Sequence, residues 1–169
     1  MDPLAHAAVG FLTKTAAPKT PLFALIAATA APDALFFGFQ ALGIERQAVT
    51  RMDFTKGLTY LSPAHIPWSH GLVMCIVWSV AADAIAYALY RNRQTGILIG
   101  LMVFSHWLLD FLAYKNLPLF FSDSPQVGIG LVTSGPGVII GIIIEVGLIA
   151  GGMAAYWMAR KRALKSAAR

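Results

Sequence analysis

The stretch that most constrains this chain is Ser105-His106-Trp107-Leu108-Leu109-Asp110, set inside an apolar run from Thr95 to Phe121. The run is long enough to cross a bilayer. On a helix, His106 and Asp110 share one face, about 40° apart around the axis. Ionisable groups at that depth cost several kcal/mol unless they pair, meet water or bind an ion. Imidazole nitrogen and carboxylate oxygen are ordinary ligands of zinc and similar divalent ions. A buried His–Asp hydrogen bond that locks two helices together satisfies the same residues, and this stretch alone does not choose between the two.

The rest of the chain places that stretch in a membrane. Hydrophobic residues make up 57% of the 169 and charged residues 12%, which rules out a soluble enzyme and fits an all-α, polytopic helical bundle. The length suits a single domain over residues 1–169. The lone Cys75 excludes an internal disulfide and a thiolate-rich zinc site. The net charge of +5 comes from basic residues near the ends of apolar runs, a topology signal rather than a nucleic-acid surface. Asp2 and the absence of a basic leader argue against a cleavable signal peptide.

About four spans are expected, preceded by a shorter segment. Leu4–Thr13 is apolar but too short to cross, so it is read as a half-helix or interfacial helix carrying His6. Pro21 to about Leu42 forms the first span, broken near its middle by Ala31-Pro32-Asp33. Asp33 either lines a polar cavity at that break or caps the second half-helix. Gly43–Ser69 is the most polar stretch between spans, and it ends in Ser62-Pro63-Ala64-His65-Ile66-Pro67-Trp68-Ser69-His70, where two prolines make an irregular approach to a helix. On a continuous helix His65 and His70 diverge by about 140°, but Pro67 lets them converge from loop and helix, with His70 in the first turn of the second span. That span ends at Tyr90 and holds Asp83, roughly 20 Å from His70 along the axis and therefore outside any shared site. The third span contains His106 and Asp110. The fourth, Gly137–Met158, contains Glu145, and residues 159–169 form a basic cytoplasmic tail.

With both termini on one side, that side holds Lys14, Lys19, Arg91, Arg93, Arg160, Lys161, Arg162, Lys165 and Arg169. The other side holds Arg46, Arg51, Lys56 and Lys115. The excess puts both termini in the cytoplasm. Counting 1.5 Å per residue, Asp33 lies about 18 Å up, His106 and Asp110 about 16 and 22 Å, and His6 about 12 Å if its segment inserts. Glu145, about 12 Å from the opposite boundary, falls at a similar level. His65 and His70 reach that slab if the Pro-rich approach dips inward.

Taken together, these residues resemble those of the bacterial membrane-bound metal-dependent hydrolases, a family of small inner-membrane proteins. The shared pattern is an early His (His6), a Pro-Asp pair (Pro32-Asp33), a His-x4-His opening a span (His65 and His70) and Ser-His-x3-Asp in the next (Ser105-His106 to Asp110). It covers the first two-thirds of the chain. Each motif is short, and the specificity lies in their order and spacing. Three positions depart from it: Leu35 replaces a second Asp, Ile66 an Arg, and Gly71 a Ser. The ligand set survives these changes, while groups that hold a second metal or a phosphate are lost.

The resemblance implies a divalent ion, zinc foremost, bound once or twice by His6, Asp33, His65, His70, His106 and Asp110. Such an ion activates water, with Asp110 or Glu145 as candidate bases. For Glu145 an interhelical hydrogen bond is the simpler expectation. A site inside the bilayer suits a lipid or lipid-linked ester; a loose likeness to zinc-dependent phospholipase C enzymes is what brings in a phosphoester. The competing readings are an ion- or proton-handling membrane protein and a non-catalytic metal-binding subunit.

Overall fold

The computed structural model describes residues 3–53, 55–62, 64–121 and 124–167. Six α-helices dominate: α1 (Pro3–Ala16), α2 (Leu22–Thr29), α3 (Ala31–Ala41), α4 (Leu72–Tyr90), α5 (Arg93–Ala113) and α6 (Gly135–Ala167). α4, α5 and α6 are each long and apolar enough to cross a membrane; α2 and α3 pass the same test only together, bent by 50° at the break between them.

α4 and α5 form a tight antiparallel hairpin. Arg91 takes the left-handed conformation (φ 52°), which ends α4, and the Asn92 side chain accepts from Thr95 N–H to start α5. The pair packs closely because Gly96 and Gly100 face Asp83 and Ser79; a Cβ at Gly100 meets the Ser79 carbonyl at 2.8 Å. Small residues are how membrane helices bring their backbones together. α2 lies across α5, where Leu25, Ala28, Ile99, Met102 and Val103 make the main core with Ala86 of α4.

α1 is about 21 Å long, short of the roughly 30 Å hydrocarbon core, as a half-helix must be. It is nevertheless deeply packed. Ala5 and Ala8 are buried, Gly10 lies against the backbone of Ile26, and Gly152 of α6 lies against the Ala8 carbonyl. α1 is therefore packed into the helical bundle and is not a loosely attached surface helix.

The two ends of the bundle differ. At one, Thr20 and Thr95 hydroxyls bond at 3.0 Å and Lys14 Nζ donates to the Pro18 and Thr20 carbonyls. This brings the α1–α2 and α4–α5 connections together, with Lys19 and Arg91 on them and Lys14 and Arg93 in the adjoining helix ends. At the other, the chain leaving α3 reaches Glu45, which holds the turn preceding α4. α2 and α3 thus run from one end of the α4–α5 hairpin to the other, the geometry of one crossing made in two pieces.

The structure adds elements that the sequence reading did not specify and moves one boundary. The polar stretch after α3 is not merely irregular: β1 (Val49–Asp53) and β2 (Gly57–Ser62) pair as an antiparallel hairpin. Thr and Tyr in Leu58-Thr59-Tyr60-Leu61 favour a strand, and Gly57 (φ +92°) turns the chain and packs on Thr133 before α6. A second small ladder, β3 (Leu117–Pro118) with β4 (Gln126–Val127), covers the same end. α4 starts at Leu72, so His70 sits in a turn before the helix and not in its first turn. α6 runs unbroken to Ala167, about 50 Å, so the described part of the basic tail continues the helix beyond a 30 Å core.

Candidate metal centre

α5 supplies two groups of the site. His106 is fully buried, and its Nδ1 lies 2.8 Å from the Thr29 carbonyl. A carbonyl only accepts, so Nδ1 carries the proton and Nε2 presents its lone pair to the other side. Thr29 is the last residue of α2. The bend at Ala30 turns its carbonyl away from the helix axis and toward α5.

The same break aims Asp33. Pro32 falls in the first turn of α3, where its missing N–H costs nothing. Ala30 occupies the cap position without a side-chain bond, so Asp33 is not the cap considered from the sequence. Its Oδ1 stands 3.5 Å from His106 Nε2 and 3.6 Å from His70 Nε2. Asp110, one helical turn beyond His106, places Oδ2 at 3.4 Å from His106 Nε2 and 3.7 Å from His70 Nε2. Its other oxygen faces His6 Nε2 at 3.5 Å. His6 reaches in from α1 and stacks on His106, with ring centroids 3.8 Å apart.

These separations are informative. At 3.4–3.7 Å, imidazole and carboxylate are too far apart for a good hydrogen bond. They match the edges of a tetrahedron of ligands around an ion with bonds of 2.0–2.2 Å, about 3.3–3.6 Å. His106 Nε2 is buried and has no hydrogen-bond partner. A buried nitrogen lone pair without a donor is costly, and a cation is the group that satisfies it. Two overlapping triplets, His6–His106–Asp110 and Asp33–His70–His106, have ligand atoms within 4.8 Å of one another and can hold a metal ion. Two carboxylates and one divalent cation also leave the site without net charge, which lowers the cost of burying it.

The site is closed on most sides. The Asp110, His6, His70 and His106 side chains are 9% exposed or less, while that of Asp33 is 29% exposed. Asp33, beside the helix break, is the most exposed of the five.

The remaining candidates belong to neither triplet. His65 is half-buried, its backbone pairs with Arg46, and it belongs to neither triplet. Glu145 is half-buried on α6 and also in neither. Asp83 packs on Gly96, about 15 Å along α5 from His106.

Two residues unmarked in the sequence stand behind His70. Glu45 is fully buried; its Oε1 accepts from Trp68 and Ser69 N–H at 2.8 and 2.9 Å, and its Oε2 from the Ser69 hydroxyl at 2.6 Å. The Ser69 oxygen lies 2.7 Å from His70 Nδ1. Beside Arg46 in a polar loop, Glu45 reads as a solvated charge; the only available signal was a Ser next to a candidate ligand. At Gly71 the resemblance drawn from the sequence leads to the expectation of a serine. A Cβ there collides with the Pro67 carbonyl, so this turn has no room for a serine.

The model of the YdjM inner membrane protein family matches residues 1–167, and the chain belongs to that family. No curated protein matches it. No solved structure matches it.

Proposed function

We propose that this member of the YdjM inner membrane protein family is a membrane-embedded, metal-dependent hydrolase of a lipid or lipid-linked ester, a phosphoester included. The observation that carries the reading is His106 Nε2, a buried lone pair held inward by the Thr29 carbonyl, with two carboxylates at ligand-to-ligand distance. His106, His70, Asp33 and Asp110 would hold a zinc-type ion, with His6 on the second oxygen of Asp110. When bound, such an ion polarises an ester oxygen and makes water nucleophilic near neutral pH.

The chain's own groups divide the remaining work. The Thr29 carbonyl orients His106. Stacking of His6 on His106 keeps water from that side. Asp33, the most exposed of the cluster, would accept a proton from water, and Asp110 is the second candidate base. Glu145 belongs to neither triplet, so the base is drawn from the cluster. An opening at the break between α2 and α3 suits a substrate that arrives laterally, from the lipid.

A non-catalytic ion that only holds helices together is the second reading, favoured by the deep burial of His6, His106 and Asp110. Partial exposure of Asp33 weighs against it. The deciding experiment measures metal content of purified protein and of His106→Ala, then hydrolysis of a lipid-ester and phosphodiester panel with chelator and after zinc is restored. Turnover that chelator abolishes and zinc restores supports the enzyme. Metal-loaded protein inert to the whole panel supports the structural ion, and metal-free wild type refutes both.

A further inference from the structure

We infer that Glu45 and Ser69 are positioning residues that fix the tautomer of His70, so that the ring presents a lone pair and not a proton to the site. The inference rests on the metal reading above for its purpose, though its geometry stands separately. As a carboxylate, Glu45 only accepts. Its Oε1 is engaged by the Trp68 and Ser69 amides, which leaves Oε2 for the Ser69 hydroxyl at 2.6 Å. That hydroxyl has one proton, and it goes to Glu45. The Ser69 oxygen can then only accept from His70, 2.7 Å away, so Nδ1 bears the ring proton. Nε2 is left with its lone pair, 3.6 Å from Asp33 Oδ1 and 3.7 Å from Asp110 Oδ2.

The two central histidines are thus set by different devices. For His106 it is a backbone carbonyl, which no substitution removes. For His70 it is a side-chain relay, clamped by two amides so that the carboxylate cannot turn away. Partners behind metal-binding histidines orient the ring and raise its basicity.

Glu45→Gln separates positioning from support. The Gln carbonyl oxygen still accepts from the two amides, but its NH2 donates to Ser69 where the carboxylate accepted. The hydroxyl proton then points at His70 Nδ1, and the ring proton moves to Nε2. The test uses full-length protein in detergent with 15N-labelled histidine, His70 being assigned through His70→Ala. Wild type should show the Nδ1–H form and Glu45→Gln the Nε2–H form. Zinc affinity, measured by chelator competition, should fall about 10–100-fold in Glu45→Gln and in Ser69→Ala. Ser69→Thr, which keeps the hydroxyl, should retain affinity. In a His70→Ala background Glu45→Gln should cost nothing more.

A folded Glu45→Gln with wild-type tautomer and affinity overturns the inference, as does an equal loss in the His70→Ala background. If Glu45→Gln does not fold, the Ser69→Ala and Ser69→Thr pair decides on affinity. If wild type takes up no zinc, the metal reading fails alone, and the tautomer comparison still decides the role of Glu45.

Discussion

α5 and α6 are both apolar enough to cross a membrane, yet they serve opposite purposes. Half of the apolar window of α5 is buried inside the protein, against 17% for α6. α5 touches α4, α2 and α1 and carries His106 and Asp110 on its inner face. α6 lays Gly152 on α1 and turns Ile139, Ile143, Val146 and Trp157 outward. Apolarity says that a helix is in lipid or protein and does not say which. A His and an Asp one turn apart do say, because lipid offers them no partner.

The sharpest test of this contrast is all-or-none. Reporter fusions after Gln126 and after Lys165 should lie on opposite sides of the membrane, since α6 lies between them. Reports from the same side would remove α6 as a crossing helix and with it the comparison.

Next in size is the chemistry. Asp110→Asn should lower zinc affinity by more than the about 10–100-fold that outer partners cost, and abolish any turnover. Glu145→Gln on α6 should leave zinc affinity within experimental error. A folded Asp110→Asn protein with full turnover would remove Asp110 from the site, and a large loss in Glu145→Gln would put α6 into it.

A smaller effect separates the helices by packing. A Cβ at Gly100 meets the Ser79 carbonyl at 2.8 Å, whereas one at Gly147 meets nothing within 4 Å. Gly100→Ala should destabilise by about 1–3 kcal/mol in thermal or denaturant unfolding, and Gly147→Ala should be neutral or slightly stabilising. The smallest difference expected is from Thr95→Val, which removes the bond to Thr20 at the basic end. It should cost about 0.6–1 kcal/mol by the same assay. An unchanged midpoint would show that the two connections are held together by packing alone.

Much of the site can be read from sequence because its spacing is helical or its breaker is proline. His106 and Asp110 follow from a four-residue interval, and the level of His6 and Asp33 from counting 1.5 Å steps. The inward dip that brings His70 to the cluster is not encoded by periodicity. It depends on Glu45 gripping two amides from 23 and 24 residues away, a contact between loops. The β1–β2 hairpin was hidden for a related reason: its charges and the prolines that follow it signal a connection, and only the packing of Gly57 on Thr133 shows what the connection rests on. His65 illustrates the reverse. Its spacing to His70 is suggestive, but its backbone is taken up by pairing with Arg46.

The half-helix α1 has a consequence for how the molecule is made. The residues that converge on His106 come from four separate segments: α1, α3, the turn before α4, and α5. α1 leaves the ribosome before the other three, yet alone it is too short to hold a place across the bilayer. His6 meets its partners only after α5 has been inserted, about a hundred residues later by the numbering. An ion that binds the assembled cluster and not its scattered parts acts as a seal on completed biogenesis. At a free concentration a thousandfold above its dissociation constant it would add about 4 kcal/mol to the folded state. Nascent chains made under metal starvation should then be the ones that quality-control proteases clear.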